Sequence, residues 1–287
     1  MSTRRRVLVT GAGGQVGCEA TPRFEAAGWE VVACDRSRLD VADRDAVLAA
    51  VTSLRPHAVV NLAAWNAVDA AETDPESALR VNALAVRYLA DAARRVGAQL
   101  CHVSTDYVFD GTKQGPYTEW DPTNPRSAYG RSKAAGEQEV GPDGLVVRTS
   151  WVCGAHGANA VKTVLALAED PDRTLAFVTD QRGCPTMAGD LAAALVRLVS
   201  EGHTGTFHAT NAGAVSWYEF VQAILSEAGH PIDRVRPITT AEMDPPRPAP
   251  RPANSELGDL ALRTAGIGPL RHHREALAEL VAELRQG

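Results

Sequence analysis

The chain has 287 residues, 45% hydrophobic and 22% charged, with a formal net charge of −6. That is the balance of an ordinary globular protein, long enough to bury one large core or two unequal ones. The acidic balance leaves no electrostatic footprint for nucleic acid or an anionic membrane, although arginines and backbone amides can still gather around a small anionic ligand.

The basic start, MSTRRR, is too short for a signal peptide or a membrane span, because Val7 already begins a strand-like run. RVLVT (6–10) reads as a short apolar strand, and GAGGQVG follows it directly. Gly11, Gly14 and Gly17 then open a helix that runs to about Ala27. Gly11 permits the tight turn, Gly14 lets a pyrophosphate approach the backbone, and Gly17 allows close helix–strand packing, with the helix N-terminus facing the phosphates. A second strand, VVAC, ends at Asp35, the distance past the glycines at which an acid grips the adenosine ribose. Asp35 would repel a ribose 2′-phosphate and favour NAD, whereas Arg36 and Arg38 would attract it and favour NADP. Both readings stay open at this point.

Asp40 and Val41 are placed to flank an adenine ring, and a helix over 43–54 leads to a third strand, HAVVNLAA. The small residues Ala63 and Ala64 at its end suit a wall against a cofactor, or simple strand–helix packing. The apolar stripe over 75–96 predicts a helix, in which Asn82 reads as polar surface. A fourth strand, Leu100 to Val103, ends in Ser104-Thr105-Asp106, and past a Pro/Gly-broken loop come Tyr129 and, one helical turn on, Lys133. A strand-end hydroxyl with a Tyr and a Lys on one helix face makes a proton-delivery site. By itself Tyr-x-x-x-Lys is a weak signal; the glycine loop upstream gives it meaning.

LVVRTSW predicts a fifth buried strand, and strands alternating with helices from the first residue argue for a parallel sheet covered on both faces. The composition changes at VCGAHGAN, where a second lobe is expected to start. Helix 159–169 and strand 174–178 then belong to that lobe, while helix 187–200 and strand 205–210 return to the sheet. SWYEFVQAILSEA (216–228) has a Ser N-cap and a helical stripe. DPPRPAPRPAN (244–254), with five prolines, is a loop or a surface arm whose Arg247 and Arg251 are placed to reach an anion. A last amphipathic helix covers 271–286. The expected division is a dinucleotide-binding domain over 1–150, completed by about 187–210, and a substrate-binding lobe over 151–186 and 211–287.

Five scattered cysteines without a Cys-x-x-Cys pair predict a reduced, cytoplasmic protein, and eight histidines without ligand spacing predict no zinc site.

TGAGGQVG, NLAAWNAVDAAE, the STDYVFDG block, YGRSK, VVRTSWVCG, DQRGCPT and RP-x-x-S-x-L occur in one order from Val7 to Leu257. In that ordered set the chain resembles the extended short-chain dehydrogenase/reductases, and within them the dTDP-4-dehydrorhamnose reductases. The resemblance implies an α/β, Rossmann-type doubly wound parallel sheet with a smaller C-terminal substrate-binding lobe. It implies reduction of the C4 carbonyl of dTDP-4-dehydro-β-L-rhamnose to dTDP-L-rhamnose, with NADPH as hydride donor and NADH as the alternative. Tyr129 would protonate the carbonyl oxygen, Lys133 would stabilise the tyrosinate and bond the nicotinamide ribose, and Thr105 would donate a hydrogen bond to the same oxygen. The cofactor would meet Gly11, Gly14, Gln15, Val16, Gly17, Asp35, Arg36, Asp40, Val41, Ala63 and Ala64 together with Tyr129 and Lys133. The sugar nucleotide would meet Asn66, Val68, Thr105, Asp106, Tyr107, Trp151, Asn159 and Arg251, with Gln181, Pro185 and Thr186 nearby.

Two departures bear on the sugar pocket: relatives commonly have Thr at Asn66 and Tyr at Cys153. Some relatives bind Mg²⁺ through glutamates at a dimer interface; here Glu19 fills one such spot and Gly189 another, so no metal is expected. The partners expected are a dTDP-linked keto-sugar and a second copy in a homodimer, with no nucleic acid and no membrane. Three other readings compete. A reductase of a related dTDP-4-keto-6-deoxyhexose is kept open by Asn66 and Cys153. A 4,6-dehydratase needs an Asp-Glu pair after the Thr, and Tyr107 follows Asp106 instead. A non-catalytic subunit resembling the methionine adenosyltransferase beta subunit is disfavoured by intact Thr105, Tyr129 and Lys133.

Overall fold

The computed structural model describes residues 4–286; the first three residues of the basic start and residue 287 lie outside the described residues. Five apolar segments of the N-terminal half form β1 (Arg6–Thr10), β2 (Glu30–Cys34), β3 (Ala58–Asn61), β4 (Gln99–Thr105) and β5 (Leu145–Thr149). In the second half, β6 (Leu175–Val178) lies apart, and β7 (Gly205–His208) joins the first five. The order across the six-stranded sheet is β7-β5-β4-β3-β1-β2, with every pairing parallel. The chain passes from β1 to β2 on one side and returns to β3 on the other, so the two directions of winding part at the carboxyl ends of β1 and β3, where such sheets bind ligands. Strand β3 is shorter than HAVVNLAA: it stops at Asn61, whose side chain accepts from the Ala63 amide and turns the chain out of the ladder.

Because side chains alternate along a strand, each helical layer receives its own set. Val7, Val9, Val60 and Val147 face Phe24 of α1 (Gln15–Ala26) and Leu191, Leu195 and Leu198 of the helix Ala188–Ser200. Leu8, Val59 and Val146 face Val47 and Val51 of α2 (Arg44–Leu54) and Val86 and Leu89 of α3 (Ala85–Val96). Complete burial of each such side chain is worth about 1.5–3 kcal/mol, which makes two covered faces the stable solution. The predicted helix 75–96 forms in three joined pieces, Pro75–Leu79, a π turn at Arg80–Leu84, and α3.

The helix α4 (Ala128–Val140) carries Tyr129 and Lys133 and starts at Ser127, whose hydroxyl accepts from the Gly130 amide. A second cluster has its own core: Val161 and Val164 of α5 (Ala160–Ala168), Phe220 and Ile224 of the helix Trp217–Glu227, and Leu277 of the helix His273–Gln286. There β6 pairs in parallel with the strand Val235–Ile238. The helix Trp217–Glu227 has a complete capping box between Ser216 and Glu219. One segment lies elsewhere than expected: Leu262 of the short helix Leu260–Thr264, with Ala261, Ile267 and Leu270, packs into the first core. The reason is the open edge at β7, which that helix covers. Among the described residues, no helix is long and apolar enough to cross a membrane.

Helix α4 sits against the π turn because Gly136 has no side chain: a Cβ there would lie 2.0 Å from the Asn82 carbonyl oxygen. Gly136→Ala is therefore expected to push α4 outward and cost about 1–3 kcal/mol, read as a lower midpoint in thermal or urea unfolding.

Candidate active site

A cleft of about 1130 Å³ runs along the carboxyl ends of β1, β3, β4 and β5. At one end is the glycine loop. Gly11 has φ +66°, and a Cβ on it would lie 2.6 Å from the Ala63 amide nitrogen, so both backbone sign and space demand glycine. Helix α1 begins at Gly14 with no side-chain cap and no acidic residue in its first turn, which leaves its amides and dipole free to meet an anion. Gln15, Val16 and Gly17 line this end, followed by Asp35, Arg36, Asp40 and Val41, with Ala63 and Ala64 on the opposite wall. The turn after β2 holds Asp35 and its two arginines differently. The Asp35 carboxylate accepts from the Ser37 hydroxyl and from the amides of Ser37 and Arg38, and these bonds hold its pKa below the usual value. Arg38 donates to the Ala33 carbonyl at 2.8 Å, whereas Arg36 is exposed on the cleft lining.

The middle of the cleft holds Thr105, Tyr129 and Lys133. Thr105 ends β4, and its hydroxyl donates to the Asp106 carboxylate at 2.9 Å while accepting from the Tyr107 amide at 3.3 Å. Burial pushes the Asp106 carboxyl up to about 6, and its second oxygen has no partner within the protein. Tyr129 is 9% exposed and meets Tyr107 edge-on, with ring centres 5.7 Å apart. Burial raises its phenol to about 12, partly offset by the Thr105 hydroxyl. Lys133 is buried beneath the same wall and donates to the Val103 carbonyl at 2.7 Å. Desolvation lowers it to about 8, against the pull of the Glu137 carboxylate. An uncharged phenol, a buried amine and a hydroxyl thus converge on one stretch of wall, able to give a proton to an oxygen that is gaining negative charge.

The cleft fits a dinucleotide with a second ligand beside it. Besides the glycine cradle and the uncapped helix, Gln15 Oε1, Ser104 Oγ and Thr149 Oγ1 are buried on its lining without a hydrogen-bond partner in the protein. Buried polar atoms of that kind call for partners from a ligand or water.

Asn66, Val68, Thr105, Asp106, Tyr107 and Trp151 also line the cleft, but Asn159 and Arg251 do not. Asn159 caps α5, accepting from the Lys162 amide and donating to the Gly154 carbonyl. Arg251 grips Asp69 with both terminal nitrogens, and Arg247 joins it at 3.3 Å, so the anion these arginines reach is a carboxylate of the protein itself. Gln181 donates to Thr240, and neither it nor Pro185 nor Thr186 is on the lining. Cys153 is buried in the second core behind Trp151 and is not on the cleft lining. Glu19 is paired with Arg23, and a Cβ on Gly189 would lie 2.9 Å from that guanidinium. Among the described residues, no three His, Cys, Asp or Glu side chains gather as a metal site.

Two residues were missed. Asn82, read as polar surface, is fully buried: it bonds the Trp65 amide and carbonyl at 2.8 and 2.9 Å and the Ser132 hydroxyl at 2.9 Å. Ser132 in turn donates to the Tyr129 carbonyl, so Asn82 ties the loop before Asn66 to the Tyr129 helix. An amide inside an apolar stripe was the available signal. Trp217 also lines the cleft, stacked on Trp151 with centres 3.8 Å apart and planes 11° from parallel. The stack braces Trp151, whose φ of +46° is unfavourable for a side chain of that bulk. Nothing local to WYEF announces that partnership.

The model of the RmlD substrate binding domain matches residues 5–286. A dTDP-4-dehydrorhamnose reductase of Streptomyces griseus is 45% identical over 285 residues, covering 96% of this chain and 93% of that protein. A dTDP-4-keto-6-deoxy-D-glucose reductase of Streptomyces niveus is 41% identical, covering 96% of each. The crystal structure of a dTDP-4-dehydrorhamnose reductase from Bacillus anthracis in complex with NADP superimposes with a TM-score of 0.93 at 34% identity, over 98% of this chain and all of that one. With a match along nearly its whole length, the chain belongs to the RmlD substrate-binding-domain family.

Proposed function

We propose that the chain is an NADPH-dependent oxidoreductase that reduces the C4 carbonyl of dTDP-4-dehydro-β-L-rhamnose to dTDP-L-rhamnose. The observation that carries this reading is the meeting of Thr105, Tyr129 and Lys133 in one cleft with a glycine cradle at its end, in a chain whose relatives bear that name. When bound, the reduced nicotinamide supplies the hydride. The protein's part is the proton. Tyr129 gives its phenolic hydrogen to the carbonyl oxygen as charge develops there, and Lys133 stabilises the phenolate left behind. Thr105 donates to the same oxygen once its hydroxyl turns from Asp106, an interaction that strengthens as the oxygen becomes negative. Asn66, Val68, Asp106, Tyr107 and Trp151 line the sugar side. The first lobe holds the dinucleotide and the second closes over the nucleotide sugar. Five free cysteines suit a reducing cytoplasm, and the reading adds no nucleic-acid or membrane partner; a homodimer is its oligomeric state.

The deciding assay offers dTDP-4-dehydrorhamnose and the epimeric dTDP-4-keto-6-deoxyglucose with each reduced cofactor and identifies the sugar formed. Preferential consumption of the first with NADPH, giving dTDP-L-rhamnose, is expected; no oxidation of either cofactor would overturn the reading.

Three predictions accompany it. Tyr129→Phe should lower turnover by about 10²–10⁴-fold with NADPH affinity, measured by fluorescence titration, nearly unchanged. Arg36→Ala should weaken NADPH binding relative to NADH roughly tenfold or more, the worth of a charged hydrogen bond. The third follows from Lys133, lowered to about 8 by burial. The ammonium is present below that pH and lost above it, so turnover should fall roughly tenfold per pH unit on the alkaline side, checked by a kcat profile from pH 6 to 10.

A further inference from the structure

Behind Lys133 lies a buried chain of polar groups that the reaction as derived leaves unused. Lys133 Nζ is 3.2 Å from His102 Nε2, and His102 Nδ1 is 3.0 Å from Asn61 Nδ2. Asn61 Oδ1 accepts from the Thr10 hydroxyl at 2.7 Å and from the Ala63 amide at 3.2 Å. Thr10, Asn61 and His102 are each fully buried. The chain crosses three neighbouring strands, β4 to β3 to β1, and ends one residue before Gly11.

Resting on the assignment of Lys133 to the tyrosinate, we propose that His102 is a positioning residue whose tautomer, imposed by Asn61, sets whether Lys133 carries charge. A backbone N–H can only donate, so the Ala63 amide fixes Asn61 Oδ1 toward itself and turns Nδ2 toward the ring. His102 Nδ1 must then accept, which puts the ring proton on Nε2, facing Lys133. An N–H facing an ammonium is two donors with no acceptor, whereas an uncharged amine accepts that hydrogen and still donates to the Val103 carbonyl. Charging Lys133 needs the opposite arrangement. One proton is taken up from solvent: the Nε2 proton passes to the amine, the solvent proton is held at Nδ1, Nε2 accepts from the resulting ammonium, and the Asn61 amide rotates so that Oδ1 accepts from Nδ1–H and Nδ2 donates to Thr10. The Ala63 amide on the cofactor wall loses its partner in that rotation. The charge on the lysine is thereby tied to the backbone against which Gly11 packs.

The surrounding ionisable groups leave this role to the ring. On α4 itself stand Tyr129 and Glu137, and Glu137 is held by Arg148 of β5 at 2.9 and 2.7 Å. Asp106 follows the end of β4, and β3, with sequence AVVN, has no ionisable residue. Burial and the neighbouring lysine both oppose a cationic ring, so His102 acts by moving its proton between nitrogens, not by gaining one.

The test is ¹⁵N NMR of histidine-labelled protein, which separates the two neutral tautomers and the cation. At pH 9 His102 is expected as the Nε2–H form and at pH 6.5 as the Nδ1–H form, neutral in both. A cationic ring at pH 6.5, or one tautomer at both pH values, would overturn the proposal. Turnover supplies the second arm. His102→Gln offers an amide oxygen near the Nε2 position and should move the alkaline limb of kcat upward by about one pH unit. His102→Asn keeps a partner for Asn61 but offers none to Lys133, and should not raise it. A merely structural histidine would lower stability or kcat in both variants and leave the limb in place, which also counts against the proposal. If a variant does not fold, the wild-type ring, assigned through its own backbone, decides. The tautomer measurement needs no turnover, so it stands apart from the fate of the proposed reaction.

Discussion

The burial of one amine governs the site. Lys133 belongs to a residue type that is almost never fully buried without a partner, and here it reaches the floor of the sheet with a backbone carbonyl and a neutral histidine as its contacts. That position requires α4 to pack closely on its surroundings, and Gly136 and Gly130 meet the backbone carbonyls of Asn82 and Tyr107 at distances no Cβ could tolerate. The same closeness brings Tyr129 to the strand end that carries Thr105. A lysine one turn further out would sit in water, and its field at the phenol would be screened.

The wall opposite is positioned by polar bonds inside an apolar frame. Asn82 sits in a π turn, an element that often accompanies functional sites, and its single amide holds both polar groups of Trp65 and the Ser132 hydroxyl. Asn61 does the corresponding work at the end of β3. In each case a buried amide fixes a loop that a run of alanines alone would leave loosely defined. Unsatisfied, such groups cost about 1–3 kcal/mol each, so the loops have one favourable arrangement.

Much of this was legible along the chain. The glycine loop, the strand–helix alternation and the Tyr/Lys pair each depend on spacing within a few residues, and the six strands and their helices lie where those patterns put them. What was misread depended on partners distant in sequence. Arg251, placed as an anion binder, spends its charge on Asp69, 182 residues away. Asn159 is the exception, since the cap bonds it makes to Lys162 and Gly154 are local. Asn82 looked exposed because a helical stripe shows which face is apolar, without showing that a second helix covers its border. Trp217 was passed over because its contact, Trp151, lies far from it along the chain, although both pack on the second core.

By itself the sequence determined the doubly wound sheet, the glycine turn after its first strand and the Tyr/Lys pair on which the proposed proton transfer rests, since local periodicity, backbone sterics and side-chain chemistry are properties of neighbouring residues. Only the tertiary structure decided which charges are free to act. One oxygen of Asp35 is held by its own turn, Arg36 is open, and Lys133 is desolvated until its pKa falls to about 8. Those outcomes rest on burial and on hydrogen-bond partners brought together from separate strands, and no spacing rule along the chain contains them.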